Sequence, residues 1–264
     1  MLLREVEYAK PASVAEALEL LASNDGARAL AGGQTLINVM KARAASPDMV
    51  VDLNGLEELK GIELAGDGTL TVGAMATYSE LMASAEAKAR PILGEVCATI
   101  ADVQVRNRGT IGGNVCSNDP TNHLPPLMVA VGARMTIAGA DGEREVPAEE
   151  FFLGVYLTAV GPGELLTQIA IPAGKQDGFA AVTLGADGTC LCNAAASVNG
   201  AVRVALGCVD AVPVLLTAES PEGVADAVRG ANLMPPSDVH ASSEYRTHLA
   251  AVLARRAAEE AAAR

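Results

Sequence analysis

The sequence predicts an α+β fold in two unequal domains, on three observations. Up to about residue 172, short strand and helix signals are mixed without the regular alternation of long strands and helices that a doubly wound sheet needs. After Ile171-Pro172 the texture changes to Ala173-Gly174-Lys175-Gln176-Asp177-Gly178, a turn-rich linker. At 264 residues and 50% hydrophobic, the chain is long enough to bury substantial cores. With only 3% aromatic residues and no Trp, small side chains must do much of the packing.

Taken in order, Ser13-Val14-Ala15-Glu16 reads as a capping box opening a helix. Val14, Ala17, Leu18 and Leu21 continue it at helical spacing until Asn24-Asp25-Gly26 breaks it. A short strand follows from Ala27 to Leu30, and Val50-Val51-Asp52-Leu53 and Leu70-Thr71-Val72-Gly73 read as two more. Thr77-Tyr78-Ser79-Glu80 opens another helix by the same capping logic. Beyond the linker, Phe179 to Leu184, Ala194 to Val198 and Val202 to Cys208 carry strand character, which predicts a three-stranded sheet with helices. Ser220-Pro221 begins a helix with Pro at its first position. In the last helix Tyr245, Leu249, Val252 and Leu253 form an apolar stripe, and the alanine-rich segment 255–264 reads as a helix terminus.

The net charge of -13, from 32 acidic against 19 basic residues, argues against nucleic acid and against anionic membranes as partners. No stretch of about 18 apolar residues predicts membrane insertion, and Met1 to Lys10 lacks the pattern of a signal peptide, so a cytoplasmic location is expected. The five cysteines, Cys97, Cys116, Cys190, Cys192 and Cys208, are scattered without a CxxC and are expected as thiols. Cys190-Leu191-Cys192 is the one close pair. A CxC can ligate metal, but alternation along a strand, which puts both thiols on one face, accounts for it, and no metal site is assigned.

Two glycine-centred segments carry the chemistry. Ala31-Gly32-Gly33-Gln34-Thr35-Leu36 follows a predicted strand, where paired glycines let backbone amides approach an anion and Thr35 adds a hydroxyl. In Arg106-Asn107-Arg108-Gly109-Thr110-Ile111-Gly112-Gly113-Asn114, glycines again expose amides while Thr110 and Asn114 offer side-chain hydrogen bonds. Two such cradles suit a diphosphate. Neither matches GxGxxG or GxxxxGK[ST], so Rossmann and P-loop readings find no support.

The strings AGGQTLINVMK, RNRGTIGGNVCSNDP and ELLTQIAIP, in this order, resemble the medium, FAD-binding subunit of molybdenum hydroxylases of the xanthine dehydrogenase and carbon monoxide dehydrogenase type. VALGCVDAVPVLL and SSEYRTHLAAVLARRA are similar to that family's small C-terminal domain, so the resemblance spans nearly the whole chain. It implies a two-subdomain FAD-binding fold of the p-cresol methylhydroxylase and vanillyl-alcohol oxidase type over residues 1–173, split near residue 55. A C-terminal domain over residues 174–264, with a three-stranded antiparallel sheet and helices, is implied after it.

The resemblance also implies roles. Ala31, Gly32, Gly33, Gln34, Thr35 and Leu36, assisted by the backbone of Ala29 and Leu30, would wrap the pyrophosphate of FAD. Gly109, Thr110, Gly113 and Asn114 would contact its diphosphate and ribityl region, with Ile100, Ala101 and Cys116 close by. Leu165 and Leu166 match positions that flank the flavin ring. The implied partners are a molybdenum-cofactor-binding large subunit and a small subunit with two [2Fe-2S] clusters. Electrons from those clusters would leave through FAD to NAD, a quinone or oxygen. No side chain is expected to act as a catalytic acid or base, because the cofactor carries the redox chemistry, and too few clustered cysteines exist for an iron-sulfur cluster of the chain's own.

Two departures from the family pattern stand out. His123 occupies a position usually acidic, whose carboxylate binds a cofactor hydroxyl in the family. It reads either as a neutral hydrogen-bond substitute or as an ordinary turn histidine. After Pro172 the segment is shortened, and Thr183 stands where the family places a lysine near the flavin. Loss of that charge would lower the flavin's potential. Cys116 reads as a redox-active thiol or as a small apolar residue facing the pocket, and Arg106 and Arg108 as phosphate, subunit or solvent contacts. His240 and His248 read as surface residues, and Glu149-Glu150 before Phe151-Phe152 as a solvated helix start. Two rival functions remain: a self-sufficient flavin oxidoreductase of the same fold, for which no proton donor stands out, and a scaffold subunit that has lost FAD.

Overall fold

The computed structural model describes residues 2–185 and 188–264. The chain begins with β1 (Glu7–Ala9), α1 (Val14–Ser23), β2 (Ala27–Leu30), α2 (Leu36–Lys41) and β3 (Met49–Asp52). The strands form a parallel sheet in the order β1-β3-β2. Ser13 caps α1 by accepting from the Glu16 amide, but the Glu16 carboxylate returns to the amide of Ala12 rather than Ser13. Ala17, Leu21, Val51, Leu53 and Leu56 bury the apolar side of this unit.

The middle of the chain contributes β4 (Ile62–Leu64), β5 (Leu70–Gly73), α3 (Tyr78–Ala83), α4 (Ile92–Thr99), α5 (Val103–Arg106), α6 (Ile111–Ser117) and α7 (Leu124–Ala130). It closes with β6 (Arg134–Gly139), β7 (Gly142–Pro147), α8 (Ala148–Phe151), the hairpin of β8 (Phe152–Gly154) and β9 (Leu157–Thr158), and β10 (Leu165–Ile171). An antiparallel sheet runs β4-β5-β10-β6-β7. The capping box at Thr77 and Glu80 is present as read from the sequence. β10 is the member that links two cores: Leu165 packs into the N-terminal cluster, whereas its neighbour Leu166 joins the central cluster with Val72, Ile111, Leu127 and Phe151.

The last part corrects the expected three-stranded sheet. β11 (Asp177–Leu184), β12 (Thr189–Asn199), β13 (Ala201–Gly207) and β14 (Val214–Ala218) form four antiparallel strands in sequence order. Val214 to Ala218 escaped notice because Pro213 precedes the segment and no polar alternation marks an edge strand whose residues are mostly half-buried. Strand structure also begins at Asp177, inside the predicted linker. Ser220-Pro221 starts a single 3-10 turn before α9 (Val224–Gly230), and α10 (Ser243–Ala262) closes the chain.

One face of β12, with Ala194 and Ala196, packs against α10, while Ala195 faces the central core. The buried seam of α10 is Leu249, Ala250, Leu253, Ala254, Ala257, Ala258 and Ala261, and Tyr245 of the predicted stripe is 47% exposed. The alanine-rich end is therefore a packing surface. A Cβ on Gly178 would lie 2.1 Å from the Ala257 carbonyl oxygen, so strand and helix backbones meet where only small residues fit.

Among the described residues no helix is long and apolar enough to cross a membrane, and no group of three or more His, Cys, Asp or Glu side chains is arranged to hold a metal ion.

Candidate functional site

The two glycine segments, 74 residues apart when measured from Gly32 to Arg106, are in direct contact. A Cβ on Gly32 would lie 2.0 Å from the Arg108 carbonyl oxygen and 3.0 Å from the Gly109 Cα. A Cβ on Gly113 would lie 3.5 Å from that of Ala31. Glycine at position 32 is therefore what lets the parallel unit and the central unit close on each other.

The first segment leaves the end of β2, where the Leu53 amide donates to the Leu30 carbonyl at 3.0 Å. Asn54 Nδ2 then donates to the Ala31 carbonyl at 3.0 Å, held in place by Asp52 Oδ1 at 2.6 Å. Gly33 takes a φ of +74°, which an L side chain rarely adopts. Gln34 Nε2 donates to the Gly32 carbonyl at 3.1 Å and Asn38 Nδ2 to the Gln34 carbonyl at 2.7 Å, so the carbonyls are turned inward and satisfied. Among the described residues the amides of Gly32, Gly33, Gln34, Thr35 and Leu36 find no acceptor within the chain. A run of unspent donors, half-buried except at the exposed Thr35, on a loop stiffened at both ends suits anionic oxygens. Ala29 and Leu30 lie in β2 itself, paired with Val51 and Asp52, and so support the loop from behind.

The second segment differs from its expectation. The Ile111 and Gly112 amides donate to the carbonyls of Ala76 and Ala74, at 3.0 and 2.9 Å, and the Gly113 amide to Thr110 Oγ1 at 3.0 Å. These amides are spent, because the glycines here serve close packing: a Cβ on Gly112 would lie 2.6 Å from the Ala74 oxygen. What the segment still offers is Asn114. Its Nδ2 donates to Tyr78 Oη at 2.9 Å, while its Oδ1 is buried with no hydrogen-bond partner. A buried acceptor of this kind calls for a donor such as a ligand hydroxyl. Thr110 is itself buried and caps α6.

Ile100 and Ala101 form the corner before α5. Ala101 has a φ of +43°, unusual for alanine, and Arg106 Nη1 fixes the corner by donating to the Ile100 and Ala101 carbonyls at 2.9 and 2.6 Å. Arg106 is thus a structural clamp, whereas Arg108 stays exposed and reaches Asn54 Oδ1 at 3.4 Å, beside the first loop. Ile100 and Cys116 pack on the same central core as Leu166, and Leu165 joins the cluster on which Ala31 packs. Burial pushes the Cys116 thiol up to about 12, which suits an apolar lining residue rather than a thiolate.

His123 is buried against the C-terminal sheet. It is 5% exposed, its ring centroid 5.2 Å from that of Phe179 of β11, with Nδ1 3.2 Å from Asn193 Nδ2. Its neighbour Asn122 makes the connection instead: Asn122 Nδ2 donates to the Asn114 carbonyl at 3.1 Å. Thr183 is exposed on β11. The sequence reading missed Asn54, Tyr78 and Asn122. The turn Asp52-Leu53-Asn54-Gly55 was the one local signal, since an Asx side chain in such a turn is free to bond backbone.

The match to the model of the family described as "FAD binding domain in molybdopterin dehydrogenase" covers residues 4–174. The carbon monoxide dehydrogenase medium chain of Afipia carboxidovorans is 37% identical, with 98% of this chain and 97% of that one aligned. The nicotine 6-hydroxylase medium subunit of Paenarthrobacter nicotinovorans is 32% identical over the full length of both chains. Among solved structures, carbon monoxide dehydrogenase from Hydrogenophaga pseudoflava superposes with a TM-score of 0.91 at 34% identity, covering 100% of this chain and 99% of that one.

Proposed function

This chain belongs to the family of FAD-binding domains of molybdopterin dehydrogenases, and on that premise we propose that it is the electron-delivering subunit of a three-component molybdenum hydroxylase. FAD is its cofactor, and its class is that of oxidoreductase subunits. The observation that carries the reading is the junction of the two glycine segments, with free amides on one side and a partnerless buried Asn114 Oδ1 on the other. These residues fit the cofactor: consecutive amides suit a diphosphate, and a lone buried acceptor suits one of its hydroxyls.

In this reading the amides of residues 32–36, backed by Ala29 and Leu30, hold the pyrophosphate, and Thr35 adds a hydroxyl. Asn114 fixes a hydroxyl of the ribityl or ribose portion and is itself oriented by Tyr78. Thr110, Gly109 and Gly113 set the contour against which the cofactor lies, with Ile100, Ala101 and Cys116 lining it. Leu165 and Leu166 carry the apolar wall toward the ring, and His123 acts through Asn122 rather than by touching the cofactor. When bound, FAD supplies the conversion of one-electron input to two-electron output. The chain binds and orients it, excludes water from its diphosphate, and uses no side chain as acid or base.

The FAD-binding domain is assigned to residues 1–173, in two subdomains divided near residue 55, and the remainder to a C-terminal domain. A molybdenum-cofactor-binding large subunit and a [2Fe-2S] small subunit are the partners proposed, with the relatives' designations "medium chain" and "medium subunit" in support. NAD, a quinone or oxygen takes the electrons, and the complex works in the cytoplasm. Titration of the purified chain with FAD, and separately with FMN, followed by flavin fluorescence, tests the assignment of the first loop. FAD should bind at least about a hundredfold tighter, a difference of about 2.7 kcal/mol; equal affinities would overturn a diphosphate cradle.

A further inference from the structure

Cys190 and Cys208 stand apart from the other thiols. Cys192 is buried in the C-terminal core and Cys97 in the central one. The expectation that Cys190 and Cys192 share a face of β12 fails, because the pairing with β11 shifts register between Val182 and Thr183, leaving Leu191 as an extra residue. Leu191 and Cys192 both turn into the C-terminal core, and Cys190 turns the other way, toward the seam with the central unit. Cys208, just past β13, is brought to the same place by a φ of +66°, a left-handed conformation costly for cysteine.

At that seam Asn193 Nδ2 is 3.4 Å from Cys190 Sγ, 3.9 Å from Cys208 Sγ, 3.2 Å from His123 Nδ1 and 3.2 Å from the Asn122 carbonyl oxygen. Asn193 Nδ2 thus holds both sulfurs within 4 Å of one nitrogen, with the His123 ring beside the same atom. A cleft of about 10 Å3, with room for about one water molecule, is lined by Asn122, Pro126, Gly207 and Cys208. We propose that Cys190 and Cys208 are a modification site, a dithiol that a hydroperoxide converts to a reversible disulfide with His123 as the proton acceptor. The inference is independent of FAD binding.

The electrostatics agree with the geometry. The neighbouring Cys208, followed by His123, pulls Cys190 below the ordinary thiol range, and Cys190 in turn pushes Cys208 up. Burial pushes Cys97 up to about 12, and burial with a smaller contribution from Cys190 pushes Cys192 up to about 12. One member of the pair is thus the thiolate that attacks and the other the thiol that resolves. The Cys190 proton passes to His123, and the sulfur attacks the peroxide, forming an S–O bond as the O–O bond breaks. The leaving oxygen takes the proton from His123 and departs as water or alcohol. The Cys208 sulfur then attacks Cys190 Sγ, the S–S bond forms, and the sulfenic oxygen leaves with the Cys208 proton as water. Two thiols lose two electrons and one peroxide is reduced.

The full chain is treated with hydrogen peroxide, denatured in iodoacetamide and mapped by mass spectrometry, with and without dithiothreitol after oxidation. The expected product is a Cys190–Cys208 cross-linked peptide, lighter by two hydrogens and restored to two alkylated thiols by dithiothreitol, while Cys97 and Cys192 alkylate fully throughout. His123→Asn should slow its formation at least about tenfold, and Cys208→Ser should leave a Cys190 sulfenic acid that dimedone traps. Free thiols at both positions after oxidation, or separate sulfinic acids without a cross-link, would overturn the proposal. The wild-type map decides this even if a variant fails to fold.

Discussion

A Cβ on Gly32 would stand 2.0 Å from the Arg108 carbonyl oxygen, far inside any contact that real side chains make. Gly32→Ala must therefore push the two glycine segments apart by about 1 Å or more, since a C···O contact relaxes only beyond about 3 Å. FAD affinity should fall at least tenfold, while Gly66→Ala, where a Cβ meets nothing within 4 Å, should leave it unchanged. Isothermal titration of both variants checks the difference.

Asn114 bonds Tyr78 Oη through Nδ2, and its buried Oδ1, the proposed acceptor for a cofactor hydroxyl, has no partner among the described residues. Asn114→Ala should weaken FAD binding by about 1.4 kcal/mol, roughly tenfold. Tyr78→Phe removes only the partner of Nδ2 and should cost about 1 kcal/mol of stability with a smaller effect on FAD. Affinities and urea midpoints measured side by side separate the two roles.

Arg90 fastens the central unit to the C-terminal sheet. Its Nε and Nη2 donate to Asp177 Oδ2 and Oδ1, each at 2.8 Å, and Nη2 also reaches Ser197 Oγ at 3.1 Å. Both charged side chains are almost fully buried. Asp177→Ala should cost about 3 to 5 kcal/mol because it strands the guanidinium, while the double change Arg90→Met with Asp177→Leu should recover much of that loss. Chemical denaturation of the single and double variants gives the comparison.

The buried thiols make stability fall in alkali. Burial raises Cys97, Cys116 and Cys192 to about 12 from an ordinary 9.0, so each stays protonated in the folded chain where the unfolded chain has ionised. Their contribution is present in full below pH 9 and is lost as pH rises toward 12, at about 1.4 kcal/mol per pH unit for each thiol. Cys97→Ala should remove one such share of the slope between pH 9.5 and 11. An unchanged slope would mean that Cys97 ionises alike in both states.

The locally encoded elements were legible: the Thr77 capping box and the strands Ala27–Leu30 and Leu70–Gly73 lie where short-range chemistry puts them. What escaped depended on distant partners. Nothing near Gly109 or Gly112 indicates that the second segment's amides are taken by Ala74 and Ala76, so it was read as a second anion cradle. Nor does the local sequence mark the extra residue at Leu191, which separates Cys190 from Cys192, because a bulge is defined by the neighbouring strand. Nor does the local sequence show that Phe179 and Asn193, from the C-terminal sheet, pack against the His123 ring.

The most direct test is the absorbance spectrum of the native complex purified through a tag on this chain, with its co-purifying subunits identified. Flavin bands together with iron-sulfur absorbance and two partner chains, one carrying the molybdenum cofactor, are the predicted result. A colourless chain, or a yellow one that purifies alone and oxidises a nicotinamide cofactor unaided, would contradict the assignment of this chain as the FAD-binding, electron-delivering subunit of a molybdenum hydroxylase.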